Sequence, residues 1–216
     1  MLVIIMYLKA VTLNGFKSFA KKSELEFSTP ITAIVGPNGS GKSNVAEAFR
    51  FVLGEQSFKS MRGKKGEDLI FGGTEGAARS NRAEVVVTLN NPVKNGTKLF
   101  PVEFSEFNIA RTVYRDGQNE YSLNGAKVRR RDIQEILATA NIGPSGSHII
   151  SQGEADRILI SGALARREMI EDSLGLKIYQ FKRQEAERKL ANTDDNIARV
   201  KSLRQEAAPH LRFLAR

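Results

Sequence analysis

Gly36-Pro37-Asn38-Gly39-Ser40-Gly41-Lys42-Ser43 matches the phosphate-loop pattern GxxxxGK[ST] at every fixed position. An apolar run, Ile31-Thr32-Ala33-Ile34-Val35, feeds it, and a helix-forming run from Asn44 to Leu53 leaves it. Strand, loop and helix in that order give the pattern its meaning. Glycines let the backbone turn its N–H groups inward around phosphate oxygens, and a helix N-terminus favours negative charge. The pattern predicts a nucleoside triphosphate cradled by the loop. Lys42 would reach the β- and γ-phosphates, and the Ser43 hydroxyl would ligate Mg2+.

Working outward, the 216 residues suffice for one good core and a further element. Apolar residues make up 41% and charged residues 26%, as in ordinary globular proteins. The net charge of +9 favours a polyanionic partner, nucleic acid before others. With no cysteine there is no disulfide framework and no thiolate metal site, and His148 and His210 lie too far apart in sequence to suggest zinc. Met1 to Met6 is apolar but lacks a basic leader and a cleavage site, so it reads as the start of a strand. No run approaches the ~18 apolar residues of a membrane span, so the expected location is cytoplasmic, with no membrane partner.

Residues 1–162 read as mixed α/β. Strands are predicted at Tyr7–Leu13, Leu25–Phe27, Asp68–Phe71, Glu84–Leu89, Asn108–Tyr114, Glu120–Leu123 and His148–Ser151, with tight turns at Asn14-Gly15, Asp116-Gly117 and Asn124-Gly125. Residues 54–66 read as loop, and Arg131–Asn141 as a helix with Asp132 at its N-cap. From 163 to 216 the character changes. One proline and one glycine remain, and charge is dense. Leu176, Tyr179, Arg183, Ala186, Leu190, Thr193, Ile197, Val200, Arg204, Ala207, Leu211 and Leu214 fall at alternating spacings of three and four, a coiled-coil seam with two arginines in it. An amphipathic helix packed on its own domain is the alternative. Nothing earlier in the chain supplies a heptad partner, so the second helix comes from elsewhere. Pro209 predicts a kink or break near residue 208.

One part of a hydrolytic site is missing. A phosphate-loop ATPase needs a carboxylate at the end of an apolar strand to organise Mg2+. Here Val85–Leu89 runs into Asn90-Asn91, and Ile149-Ile150 into Ser151-Gln152. Leu159-Ile160-Ser161-Gly162-Ala163 lacks the second glycine of a Leu-Ser-Gly-Gly signature.

Gly15-Phe16-Lys17-Ser18-Phe19, the phosphate loop, Asn44 through Phe51-Val52-Leu53-Gly54-Glu55-Gln56-Ser57, Met61-Arg62-Gly63 and Glu67 to Phe71 together resemble the N-terminal head segment of structural-maintenance-of-chromosomes (SMC) proteins of the prokaryotic chromosome-condensation type. Ser151-Gln152-Gly153-Glu154, Arg166-Arg167 and Gly175 to Tyr179 continue the likeness. The resemblance implies the N-terminal lobe of an ABC-type ATPase head, followed by the start of a long antiparallel coiled coil. It implies that the acidic strand and signature motif lie in a C-terminal head segment of the same polypeptide. It implies ATP and Mg2+ as cofactors, a second head that sandwiches ATP, accessory bridging subunits, and sequence-independent double-stranded DNA in the nucleoid. Hydrolysis would need the complete head and its partner, leaving this chain alone inactive.

The resemblance also assigns residues. Pro37, Asn38, Gly39, Ser40, Gly41, Lys42, Ser43 and Asn44 form the phosphate-binding group. Gln152 would reach Mg2+ and the attacking water, and Arg62 would act near the nucleotide and link hydrolysis to DNA. Lys17 and Ser18 would pass close to adenine and phosphates, and Asp68 would shape the adenine side. Lys59, Lys64, Lys65, Lys127, Arg129, Arg130 and Arg131 are candidates for DNA phosphate contacts. A related repair ATPase of the break-repair or recombination type is the alternative, and a non-catalytic nucleotide-binding or coiled-coil module a third reading.

Overall fold

The computed structural model describes residues 6–29, 31–57, 61–63, 65–94, 96–140, 142, 149–150, 160–173 and 176–214. The chain divides into two compact units, Met1–Gly175 and Leu176–Arg216.

The first unit is built on a six-stranded sheet. Its strands are β1 (Leu8–Asn14), β2 (Ser23–Glu26), β3 (Arg82–Asn90), β6 (Glu106–Tyr114), β7 (Asn119–Leu123) and β8 (Ala126–Val128), in the order β2-β1-β3-β6-β7-β8. A separate hairpin joins β4 (Val93–Lys94) to β5 (Thr97–Lys98). All pairings of the sheet are antiparallel. Side chains of a strand alternate between faces, and in β3 every second residue, Ala83, Val85, Val87 and Leu89, is buried. The register sets Val87 beside Val11 on one side and Ile109 on the other, so one apolar face runs across the sheet.

Helix α1 (Lys42–Val52) packs its Ala48, Phe51 and Val52 onto that face. Phe51 is fully buried, with its ring 5.5 Å from Phe16. Helix α2 (Arg130–Thr139) adds Ile133 and Leu137 to the same core. The α/β lobe expected from the sequence is therefore present. Gly15 makes the turn after β1 possible: its φ is +63°, and a Cβ there would sit 2.4 Å from the Arg82 carbonyl. Only glycine tolerates both.

Four expectations about the first unit are corrected. Ile31–Val35 forms no strand among the described residues. It is exposed, Ile31 at 89% and Val35 at 87%. A strand requires a ladder partner, and no described strand lies beside this run. Asp68–Phe71 is not a strand either. Gly66–Leu69 is a 3-10 turn, because the Asp68 carboxylate accepts the Lys65 N–H at 3.0 Å and Ile70 N–H closes on Glu67 O at 3.0 Å. Ile70 makes one isolated bridge to Phe16, and the Phe71 N–H donates to Gly15 O at 2.8 Å. In α2, Asp132 lies at the third helical position and accepts the N–H of the capping residue Arg129 at 3.0 Å. Local capping chemistry thus starts the helix at Arg130, earlier than expected. Of the predicted strand His148–Ser151, the described Ile149 and Ile150 pair with no strand, and its ends lie outside the described residues.

Helix α3 (Ala163–Ser173) closes the first unit. The second unit is one helix, α4 (Lys177–Leu214), 38 residues long. At 1.5 Å per residue that is about 57 Å. Pro209 lies inside it, so the expected break is absent. A proline removes one rung and crowds one carbonyl. Turns on either side still close their own bonds, and Pro209 stands only five residues before the helix ends.

Candidate functional site

The phosphate loop leads directly into α1. Gly39 and Gly41 have φ of +83° and +92°, left-handed values that glycine adopts without strain. Gly41 is the N-cap residue of α1, and no side chain caps that helix. Its first turn therefore presents backbone N–H groups and the positive end of the helix dipole without a carboxylate in competition. A Cβ on Gly41 would stand 2.7 Å from Ser18 Oγ, and the ring of Phe19 closes the same side. The loop is a cradle whose dimensions require glycine, and its donor set suits a triphosphate with a hard cation at Ser43.

Lys42 Nζ donates to the carbonyls of Gly36 at 2.7 Å and Pro37 at 2.8 Å. It therefore spans the loop from its last turn to its first. Asn44 Nδ2 donates to Ser18 Oγ at 2.8 Å. The segment after β1 is thus tied to the first turn of α1.

Lys17 goes further. Its backbone is left-handed (φ 48°), its Nζ donates to Met61 O at 2.5 Å, and it pairs with the carboxylate of Glu47. Arg62, also left-handed (φ 51°), places Nε 3.0 Å from the other Glu47 oxygen. Lys17 also lines a cavity of about 540 Å3 with Glu67, Asp68, Ile70, Gly72 and Arg115. Lys17, Ser18, Arg62, Asp68 and the loop are therefore neighbours through a few contacts, although they span more than forty positions of sequence. Gln152 lies outside the described residues, as do Lys59 and Lys64.

Sequence reasoning missed two residues of this region. Glu47 is buried on the inner side of α1 and joins Lys17 to Arg62; a carboxylate in a helical apolar run was its only signal. Arg111 is buried in β6. It donates from Nη1 to Phe51 O and Glu55 O, both at 2.7 Å, and from Nε to Asn119 at 2.9 Å. Its guanidinium lies 4.2 Å from the Phe51 ring centre and 5.1 Å from that of Tyr121. A cation in this position satisfies carbonyls at the C-terminal end of α1. Burial lowers the Arg111 pKa and raises that of Tyr121.

Three of the basic candidates lie together at the far edge of the sheet. Lys127, Arg129 and Arg130 line a cavity of about 800 Å3 with Arg111, Glu120 and Asp132. Lys127 pairs with Glu120 at 2.5 Å, which raises its pKa. Lys65 and Arg131 are also described, on the 3-10 turn's cap and in the first turn of α2.

Comparison with known proteins places this arrangement. Residues 7–192 match the RecF/RecN/SMC N terminal domain family. A chromosome partition protein Smc from Mycolicibacterium paratuberculosis is 45% identical over 98% of this chain. The chain spans about 17% of the length of such curated relatives. A solved Smc head domain with an extended coiled coil, from Pyrococcus furiosus and bound to the C-terminal domain of ScpA, is 40% identical. It superposes with a TM-score of 0.73 over 94% of this chain and 50% of that one. A structure from work on ATP-driven dimerization and DNA-stimulated activation of SMC ATPases is 41% identical, with a TM-score of 0.69 over 77% of this chain and 98% of that one. The recombination mediator RecF with ATP is more distant, at 25% identity and a TM-score of 0.57 over 87% of this chain and 44% of that one. The likeness favours the SMC reading over the repair alternative.

Proposed function

This chain belongs to the RecF/RecN/SMC N terminal domain family, and from that premise we propose that it is the ATP-holding N-terminal segment of an SMC head that acts in chromosome condensation and segregation. The observation that carries the reading is an intact phosphate cradle whose feeding apolar run has no partner among the described residues. Ile31, Ile34 and Val35 are exposed beside a loop that is otherwise built. Burying three such side chains is worth about 1.5–3 kcal/mol each. A C-terminal head segment of the same polypeptide would supply the missing ladder, together with the acidic strand and the signature motif.

In this reading the loop N–H groups and Lys42 bind the triphosphate, Ser43 and Gln152 hold Mg2+, and Lys17, Ser18, Asn44 and Asp68 line the nucleotide. Bound Mg2+ supplies charge neutralisation at the phosphates. The chain's own part is to orient the triphosphate and to present Arg62 towards it. A second head closes over the ATP, as expected for a homodimer, and an accessory subunit of the ScpA type bridges the heads. Lys65, Lys127, Arg129, Arg130 and Arg131 contact DNA phosphates without reading sequence. The assembly works in the cytoplasm on the nucleoid.

Single-turnover ATP hydrolysis tests the split site. This chain alone gives no turnover, and mixing with a C-terminal head segment restores it. Lys42→Ala abolishes ATP binding in the mixture. Robust hydrolysis by the isolated chain would sink the proposal. Hydrogen exchange gives an independent measure: amides of residues 31–35 exchange freely in the chain alone and gain protection on mixing.

A further inference from the structure

Three charged side chains close a ring around the base of the phosphate-loop helix. Glu47 lies four residues after Ser43, hence on the same face of α1 and one turn further from the loop. Its carboxylate pairs with Lys17 through Oε2 and with Arg62 through Oε1. Lys17 also grips the Met61 carbonyl at 2.5 Å, beside Arg62, and the Met61 side chain is fully buried. Both cations stand in left-handed backbone, which a non-glycine residue adopts only under strain. Strain of that kind at two residues, converging on one buried carboxylate, points to function rather than to packing alone.

The two pairs are unequal. The Lys17 and Glu47 side chains are only 12% and 7% exposed, so that pair is the buried anchor. The Arg62 side chain is 62% exposed. It meets Oε1 at 3.0 Å, yet that buried oxygen accepts no aligned hydrogen bond among the described residues. Lys17 already neutralises Glu47. Arg62 is therefore the surplus cation, held by a misaligned contact with its head in solvent. Removing it leaves no uncompensated buried charge, which is the usual cost of breaking a buried pair.

We propose that Glu47 is a positioning residue, an intramolecular stand-in for phosphate: it holds Arg62 one helical turn from the phosphate loop and surrenders it to the nucleotide's phosphates on binding, while Lys17 keeps the carboxylate paired. The inference rests on the reading of Arg62 as a nucleotide-facing group. Competition between an internal carboxylate and the ligand sets the affinity. Arg62 then reports occupancy of the loop to the segment around Met61.

The test uses the reconstituted head and a non-hydrolysable ATP analogue with Mg2+. Glu47→Gln keeps the shape and removes the competing charge. It should tighten analogue binding about 3- to 10-fold, and the gain should vanish in an Arg62→Ala background, as a coupled pair requires. Glu47→Asp should restore wild-type affinity. An unchanged or weakened affinity in a Glu47→Gln head that melts like wild type overturns the proposal, as does an equal effect in both backgrounds. Should Glu47→Gln fail to fold, the Nε–H resonance of Arg62 in the wild-type head, assigned by its loss in Arg62→Lys, answers instead. It should shift on saturation with analogue, and a resonance that does not move refutes the exchange. Lys42→Ala separates the two levels. Undiminished analogue binding in that variant means the nucleotide site itself is misread, whereas abolished binding with Arg62→Ala indistinguishable from wild type removes only the exchange.

Discussion

At the scale of single residues, the polar groups inside the lobe carry much of its specificity. Asn91 is 3% exposed and serves four backbone groups of the loop that follows it. Its Nδ2 reaches Phe100 O, Val102 O and Phe104 O, and its Oδ1 accepts Phe100 N–H at 2.9 Å. Asn91→Ala would strand these groups and should destabilise the lobe by about 1–3 kcal/mol, read by denaturant unfolding of the reconstituted head. Tyr121 offers a pH test. Burial raises its pKa, so the folded state holds the phenol proton more tightly than the unfolded state does. The folded state then binds more protons as pH passes the ordinary tyrosine value near 10, and stability falls with rising pH in that window. Ultraviolet titration should show one tyrosine ionising later than the rest, and Tyr121→Phe should remove that late step. Gly15→Ala is the corresponding backbone test. The added Cβ meets the Arg82 carbonyl at 2.4 Å in left-handed backbone. A loss of about 2 kcal/mol or more in unfolding free energy is expected.

At the scale of elements, α1 links core to site. One face carries Phe51 and Val52 into the sheet, its N-terminus forms the phosphate cradle, and its C-terminal carbonyls are held by Arg111 from β6. Phe51→Ala should cost about 3–5 kcal/mol and weaken nucleotide binding with it, since α1 carries the cradle at its N-terminus. Helix α4 is the opposite case. Tyr179, Leu190, Ile197 and Val200 of its seam are all exposed, and Arg183 within the seam pairs with Glu187 at 3.2 Å. Such exposed i,i+4 pairs contribute about 0.3–0.5 kcal/mol each. Its apolar stripe therefore waits for a second helix. Ile197→Lys should leave unfolding of the first unit within about 0.5 kcal/mol of wild type, while lowering the helicity gained when the opposite coil strand is added.

At the scale of the whole molecule, the +9 charge predicts a partner rather than a fold. If three to five of the basic candidates meet DNA phosphates, affinity should fall roughly 40- to 500-fold between about 50 and 200 mM salt, with no preference among sequences. A flat salt response removes the contact assignment. The sequence by itself determined the phosphate loop, the helix after it, most of the strands and the open seam of the last helix. Those are local matters of glycine geometry, residue period and turn chemistry. The sequence also showed that neither Val85–Leu89 nor Ile149-Ile150 runs into a carboxylate. Tertiary structure alone decided three things. It left Ile31–Val35 unpaired, because strand formation depends on a neighbour and not on apolar content. It made a turn of Gly66–Leu69, because the Asp68 cap outweighed a short β-prone run. It brought Lys17, Glu47 and Arg62 together from three separate segments. Contacts between residues fifteen to forty-five positions apart leave no period in a sequence, so only the folded chain could show that the helix holding the phosphate loop also holds the arginine beside it.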